Sequence, residues 1–403
     1  MRKGTCALLA TLLILGAGAL SAQAVTLNGR ASTQAFWFAD EDGKSHFDLA
    51  QYARINARQL DAANTVSVTG YGRASGDFVQ GGGVDGRLYY LYLDKKELMK
   101  KTDVRVGRQF FFVSAGSAIM DGARADVRAF GPITLTVAGG RNVLFDTTGE
   151  ETRGGDMAAG VQLSLVGISQ LSADLSFLIT YDESERAREV AGLAASKRFG
   201  KYGELYTQLR YDVISEVWNE VQVGARTAVL SKTTLTAEYF ESIPTFDATD
   251  IFSVFAVEHY QEALLRAQYD LNPKVSLSGE YRHEGYGGDD SANVGELGAR
   301  VRPSDGTSVY AAGIWRGGTG GNLVGFELSG DKVIDKKFLL GAGIQYDKFR
   351  NEEAEEYETA TKFWIGADAK IRKNISAQAR LEDTVSDRFD KDFRARLALN
   401  YDF

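Results

Sequence analysis

A single cysteine occurs in the 403 residues, and it is Cys6. It lies inside a leader: a basic start, Met1-Arg2-Lys3, an apolar run from Cys6 to Leu20, and the Ala-x-Ala site Ala22-Gln23-Ala24. That order is the pattern of a secretory signal with cleavage expected after Ala24, leaving 25–403 as one domain. Cys6 stands at the start of the apolar run rather than at its end, so it is not placed as a lipid acceptor. The mature chain then has no thiol, which excludes disulfides, thiolate metal sites and a Cys-x-x-Cys-His haem attachment.

Histidine is nearly as scarce, with three in the chain. His46 reads as a loop residue, and His259 and His283 fall near the outer ends of neighbouring strands. His259 with Glu258 and Glu262 is the one set that could approach a metal or a base, but His283 shares the outward parity of Tyr281. All three are read as rim or surface residues, so neither metal, cofactor nor enzymatic activity is expected. Gly81-Gly82-Gly83 and Gly317 to Gly321 are loop tips rather than phosphate cradles, because no helix follows them. A net charge of −8 disfavours nucleic acid as a partner. Proline is limited to four residues, and beyond the leader no apolar run reaches the length of a membrane-spanning helix.

What is abundant is glycine (44), phenylalanine (22) and tyrosine (18), arranged with a period of two. At the end of the chain Phe393, Ala395, Leu397, Leu399, Tyr401 and Phe403 alternate with Arg394, Arg396, Ala398, Asn400 and Asp402. Phe363, Ile365, Ala367 and Ala369 repeat the pattern, as do Ala263, Leu265, Ala267, Tyr269 and Leu271. Alternation puts one side-chain set on each face of a strand, so one face can meet lipid and the other water. It recurs along the whole mature chain with turns roughly every seventeen residues and no helical stretch, which favours a transmembrane antiparallel up-and-down β-barrel over a soluble sandwich. About 22 segments can be counted, within a range of roughly 16 to 22, and an even number returns both termini to one side.

The connections fall into two alternating classes. One is short and often basic or proline-bearing: 61–64, 130–132, 199–203, 272–274, 302–304, 333–336 and 371–374, together with a longer lysine-rich turn at 94–102. The other is longer and acidic: 146–151, 182–185, 246–250, 289–290, 351–358 and 383–392. Short turns belong on the periplasmic side of such a barrel and long loops outside.

The last strand, with Phe393, Tyr401 and the terminal Phe403, resembles the recognition signal that outer-membrane β-barrels present to their assembly machinery. The segment Thr102-Asp103-Val104-Arg105-Val106-Gly107-Arg108-Gln109 is similar to a strand with a Gly-Arg-Gln element found in porin and porin-like families. These resemblances imply a barrel in the outer membrane of a Gram-negative-type bacterium, in contact with outer-membrane lipid and the assembly machinery, and a pore function without a named solute. A homo-oligomer is compatible with them. Wide cysteine-free barrels also resemble the porin component of porin–cytochrome conduits, in which a multihaem cytochrome partner fills the lumen.

Parity sorts the lumenal residues. Early strands contribute Arg30, Arg54, Arg58, Tyr71, Arg73, Arg105, Arg124, Asp126 and Arg128, a basic wall. Middle strands contribute carboxylates: Asp156, Asp174, Asp182, Glu204, Asp212, Glu238, Glu262, Asp270, Glu280 and Glu296. Walls of opposite sign would set a transverse field, or the charges would pair within the wall; both readings stay open. A barrel of this size is too wide for side chains alone to fill. The apolar segment from Phe110, Phe111 and Phe112 through Asp121 to Gly122 is read as a constriction loop folded inward, and 251–257 as a strand extension. The expected function is passive diffusion of small hydrophilic or charged solutes, with the conduit sheath as the alternative.

Overall fold

The computed structural model describes residues 25–40, 43–79, 81, 83–145, 149–228, 230–245, 259–351, 356–387 and 389–403. The leader and the segments 246–250 and 251–257 lie outside the described residues. Among the described residues there is no helix long and apolar enough to cross a membrane; the regular structure is strand.

The first six strands are β1 (Thr26–Ala39), β2 (Ser45–Arg58), β3 (Val66–Asp77), β4 (Asp85–Leu98), β5 (Thr102–Val113) and β6 (Gly116–Phe130). They are followed by β7 (Ile133–Asn142), β8 (Met157–Ile168), β9 (Leu171–Asp182), β10 (Glu185–Arg198), β11 (Glu204–Asp212) and β12 (Val217–Thr227). Next come β13 (Thr233–Ser242), β14 (Tyr260–Asn272), β15 (Val275–Gly285), β16 (Ser291–Val301) and β17 (Thr307–Gly318). The last are β18 (Asn322–Ile334), β19 (Phe338–Arg350), β20 (Glu358–Arg372), β21 (Ile375–Ser386) and β22 (Phe389–Asp402). Each strand pairs antiparallel with its sequence neighbours, and β22 returns to β1 from Arg30↔Asp402 to Trp37↔Ala395. The protein is therefore a closed 22-stranded antiparallel barrel. Closure leaves no sheet edge with unpaired amides, which matters most where no water can satisfy them.

The seam is finished by the last residue. Phe403 N donates to Gly29 O at 3.1 Å, and Gly29 N donates to Phe403 O at 2.9 Å. On the outer face stand exposed apolar side chains, among them Leu175, Leu265, Leu297, Val324, Ile365 and Leu397. Their neighbours in sequence point inward and are mostly polar, as the period of two requires. All four prolines fall between strands, where no ladder hydrogen bond is lost.

The two classes of connection lie at opposite ends of the barrel, because they alternate along an up-and-down chain. Several of their limits differ from the sequence reading. Strand β4 runs on to Leu98, so the lysine-rich turn is only 99–101; β21 and β22 take up most of 383–392. The connection after β9 is two residues, Glu183 and Ser184, with φ of 48° and 77°. Consecutive positive φ values are the backbone of a tight hairpin turn matched to strand twist. His46 lies in β2, not in a loop, and its ring bridges Asp77 at 2.5 Å and Asp40 at 3.2 Å.

Some connections are clamped by a carboxylate. Asp61 accepts from Thr65 Oγ1 at 2.6 Å, Lys95 Nζ at 2.9 Å, and the amides of Thr65 and Val66 at 2.7 and 3.0 Å. The Thr65 hydroxyl and the Lys95 ammonium hold its carboxyl well below the usual range. Asp156 and Asp212 serve similarly rather than lining the lumen. Asp156 is fully buried and accepts from the amides of Arg153 and Glu183, at 2.5 and 3.0 Å. Asp212 accepts from the amides of Ile214 and Ser215, both at 3.0 Å. Parity had been carried to the strand ends, where backbone amides needing acceptors win the side chain.

Candidate functional site

The segment 110–122 is not a loop. It is the upper part of a β-hairpin, β5 and β6, joined by Ser114 and Ala115. Pairing of β5 with β4 stops at Leu91↔Arg108, and pairing of β6 with β7 begins at Met120↔Asn142. The residues between leave the wall and lie across the inner face of β8 to β11.

The departure is set by Gly107, whose φ is +124°. A Cβ there would stand 2.3 Å from Leu91 O, so glycine alone lets β5 turn away while its backbone still touches β4. The next residue, Arg108, fixes the base of the hairpin. Its guanidinium donates twice to Asp121, both at 2.8 Å, and twice to Glu150, at 2.7 and 3.1 Å.

At the tip, Ser114 Oγ meets Ser176 Oγ at 2.7 Å and donates to Gly192 O at 3.0 Å. Ala115 N donates to Ser176 Oγ at 2.7 Å, Ser114 N to Gln162 Oε1 at 3.1 Å, and Arg210 Nε to Ser114 O at 3.0 Å. Ser176, Gln162 and Arg210 sit at inward positions of β9, β8 and β11, which fixes the hairpin inside the barrel. Gly192 of β10 has no side chain where the tip lands: a Cβ would lie 2.2 Å from Ala115 N.

Alternation along the hairpin gives it two faces. Phe111, Val113, Ala115, Ala118 and Met120 pack on Ala138, Ala158, Leu178 and Val190, the one conventional apolar core among the described residues. Full burial of Phe111 and of Met120 stabilises docking by about 1.5–3 kcal/mol each. Phe110 and Phe112 point the other way and stack at 5.7 Å, with Phe112 66 % exposed to the lumen. Asp121 belongs to the hairpin base through Arg108 and not to its lumenal tip.

The inward arginines of the early strands are mostly ion-paired. Arg30 meets Asp402 at 2.6 Å, Arg105 meets Asp94 at 2.7 Å, Arg124 meets Asp126 at 2.9 Å, and Arg128 meets Asp103 at 2.8 Å. Arg73 stands 3.8 Å from Asp85. Arg54 and Arg58 have no such partner among the described residues; Arg58 donates only to Asn56 Oδ1, at 2.8 Å.

The middle carboxylates are satisfied in turn. Glu238 accepts from Tyr206 Oη at 2.6 Å. Glu280 pairs with Arg266 at 2.6 Å and Arg282 at 3.1 Å. Glu262 accepts from Tyr260 Oη at 2.7 Å and lies 3.7 Å from Arg282. Both walls carry charge, therefore, but most of it is neutralised locally. The sequence reading named Tyr71 and missed Tyr52, Tyr89, Tyr90 and Tyr92, whose rings join it in one lumenal row. It also missed the docking set of Ser114, Ser176, Gly192 and Arg210, for which alternation carries no signal. His259 pairs with Glu241 at 2.7 Å, and no group of three or more potential ligands among the described residues could hold a metal ion.

No family model matches the chain, and no curated protein matches it in sequence. Among solved structures it is similar to the P pilus usher (PapC) translocation pore, with a TM-score of 0.54 and 9 % identity over 93 % of this chain and 99 % of that one. OpdQ of Pseudomonas aeruginosa aligns with a TM-score of 0.49 and 8 % identity, over 95 % of this chain and 99 % of that one. A BenF-like porin from Pseudomonas fluorescens Pf-5 gives 0.47 and 10 %, over 94 % and 98 %. The likeness to the usher pore is one of barrel fold.

Proposed function

We propose that this chain is an outer-membrane channel of porin type, through which small hydrophilic or charged solutes diffuse past the infolded hairpin. The observation that carries the reading is the pairing of a closed barrel, apolar outside and polar inside, with a hairpin pinned across its lumen at Ser114. The outer face suits lipid, and polar side chains keep the interior wet. The hairpin supplies the narrowing that a barrel of this strand number needs if it is to discriminate by size. The exported leader and the aromatic terminal strand support placement in the outer membrane of a Gram-negative-type cell. A barrel sheathing a multihaem cytochrome would need the lumen for its partner, and the docked hairpin takes up part of that space. The test is conductance of the purified mature protein in planar bilayers. Discrete, ohmic steps with an exclusion limit for polyethylene glycols support the channel. Absence of any current from folded protein refutes it.

A further inference from the structure

One stretch of inner wall departs from the local neutralisation seen elsewhere. From β18 round the seam to β5 the wall encloses a concavity of about 1400 Å³. Its side-chain cations are Arg30, Arg54, Arg58 and Lys370 on the wall and Lys336 and Lys337 in the β18–β19 turn, and its side-chain carboxylates are Asp368 and Asp402, with Phe403 also in the lining. Arg30 is held by Asp402 at 2.6 and 3.1 Å. The other five have no carboxylate within 4.0 Å among the described residues.

Tyrosines provide a second, independent difference. Outside the concavity, Tyr206, Tyr260 and Tyr310 of β11, β14 and β17 and Tyr286 just past β15 each donate their hydroxyl to a glutamate, at 2.6, 2.7, 2.9 and 2.5 Å. In the concavity, Tyr52, Tyr71, Tyr89 and Tyr90 make no side-chain hydrogen bond with any described residue. Their rings instead form a row: Tyr52 to Tyr71 at 6.2 Å, Tyr71 to Tyr89 at 5.0 Å, Tyr71 to Tyr90 at 5.6 Å, and Tyr90 to Phe110 at 6.1 Å. The row thus runs from the wall to the root of the hairpin, beside Arg54, which register sets opposite Tyr71; Arg58 follows four residues further along the same inward face of β2.

Resting on the channel reading, we propose that this concavity is a binding subsite on the permeation path for anions that carry a ring with an apolar face, aromatic or sugar. The acid group is taken by Arg54 and Arg58, whose guanidinium donors are uncommitted to any carboxylate, and charge-assisted hydrogen bonds are the stronger kind. The ring lies along Tyr71, Tyr90 and Phe110 at the 4.5–7 Å spacing of offset or edge contacts. The phenol hydroxyls, spared from glutamates, are available for hydroxyl substituents on that ring. Cations alone would hold any anion; the aromatic row adds the preference for a ring.

The whole mature chain, inserted in planar bilayers, is exposed to phenylacetate, glucuronate or acetate at equal concentration. The same three anions are titrated calorimetrically against the detergent-solubilised protein. The ring-bearing anions are expected to bind more tightly than acetate and to lengthen current blockades, and the tighter of the two tells an aromatic ring from a sugar ring. Tyr71→Leu should weaken the ring-bearing anions by roughly two- to tenfold and spare acetate, while Tyr71→Phe should keep the preference. Arg54→Gln should weaken all three by about tenfold or more. If Tyr71→Leu does not assemble, Tyr90→Leu reads the same contact. Equal affinity for acetate and both ring-bearing anions, or a ring preference that survives loss of the aromatic face, overturns the subsite. Ring-selective binding in detergent by a protein that passes no current supports the subsite and overturns the channel.

Discussion

Substituting Gly192→Ala adds one methyl group, yet it should release the constricting hairpin. The added Cβ would lie 2.2 Å from Ala115 N and 2.4 Å from Ser114 C, closer than carbon and backbone atoms approach without movement. The wall strand β10 is held by ladders to β9 and β11 on both sides, so the tip must yield. What it loses is the set of bonds from Ser114 to Ser176, Gly192 and Gln162, from Ala115 to Ser176, and from Arg210 to Ser114. At about 0.5–1.5 kcal/mol for each net hydrogen bond, the loss is on the order of 3–7 kcal/mol. Burial of Phe111 and Met120 opposes release with about 3–6 kcal/mol together. With the tip bonds gone that burial alone must offset the ordering of the detached part of the hairpin, which costs about 1–2 kcal/mol per backbone residue, so the tip should undock while the Arg108–Asp121 base stays.

The assay is single-channel conductance with a polyethylene glycol exclusion series on protein whose folding is checked by heat-modifiable electrophoretic mobility. Gly192→Ala is expected to raise both the conductance and the exclusion limit. A complementary arm uses Ser114→Cys with Ser176→Cys, the only cysteines in residues 25–403, since the one native cysteine is Cys6. The two Oγ atoms are 2.7 Å apart, near the S–S bond length of about 2.05 Å, so the pair should oxidise spontaneously. Oxidation is expected to leave the conductance at its wild-type value. Unchanged conductance in folded Gly192→Ala, together with failure of the cysteine pair to form, would show that the tip is not docked in the working barrel.

Arg54→Gln with Arg58→Gln should move the reversal potential toward cations at low salt, and the shift should fade near 1 M, where the Debye length is about 3 Å; no shift at low salt would mean that these charges are shielded. Arg73→Gln with Arg105→Gln should also favour cations, because Asp94 and Asp85 then lose their partners, and cation selectivity equal to wild type would refute this. Deleting Phe403 removes the Phe403–Gly29 bonds at the seam and the terminal aromatic, so outer-membrane levels should fall while export continues; normal levels would sink the idea. Asp156→Asn should make 143–156 more susceptible to protease, losing about 1.5–3 kcal/mol of charge-assisted hydrogen bonding. Burial raises the Asp156 pKa, but the amides of Glu183 and Arg153, with the Asp182 side chain and the Arg153 charge, together outweigh it and the net shift is downward. The clamp is therefore fully present above the ordinary carboxylate range and is lost as pH falls through the lowered value. Protease sensitivity of the wild type that did not rise in strong acid would contradict the assignment.

The barrel was legible because a membrane-facing strand must alternate, and Phe393 to Phe403 or Phe363 to Ala369 admit no helical reading. The two ends were legible because turn and loop chemistry differ. Strand limits were not: Asp94 to Leu98 and Asp383 to Ser386 carry polar residues on both faces, so the alternation disappears where the strand continues. The hairpin hid for the opposite reason. With its back on the inner wall and its front bearing Phe110 and Phe112, it is apolar on both faces and shows no period. Parity told which side Arg105 and Arg124 occupy, and put Asp126 on the same face as Arg124, but not that register sets Asp94 opposite Arg105. Neutralisation of the wall is a property of register, and register is fixed only once all the strands are paired.

That neutralisation makes the exception informative. A partly exposed ion pair contributes about 0–1 kcal/mol, so pairing Arg105 with Asp94 or leaving Arg54 alone is nearly indifferent to the stability of a 22-stranded ladder. Fold stability therefore gives no reason for uncompensated cations to collect in one concavity while neighbouring arginines are paired. The electrostatic consequence, by contrast, is large. Paired charges act as short dipoles whose fields fall off within the wall, whereas five unpaired cations around one hollow sum to a field that reaches solutes in the lumen. The hairpin places Phe110 at the edge of the same hollow, so a solute passing the constriction also passes the unpaired charge. Narrowing and unpaired charge thus meet in the hollow that Arg54 and Phe110 share, and the turn at Gly107 is the backbone feature that brings them together.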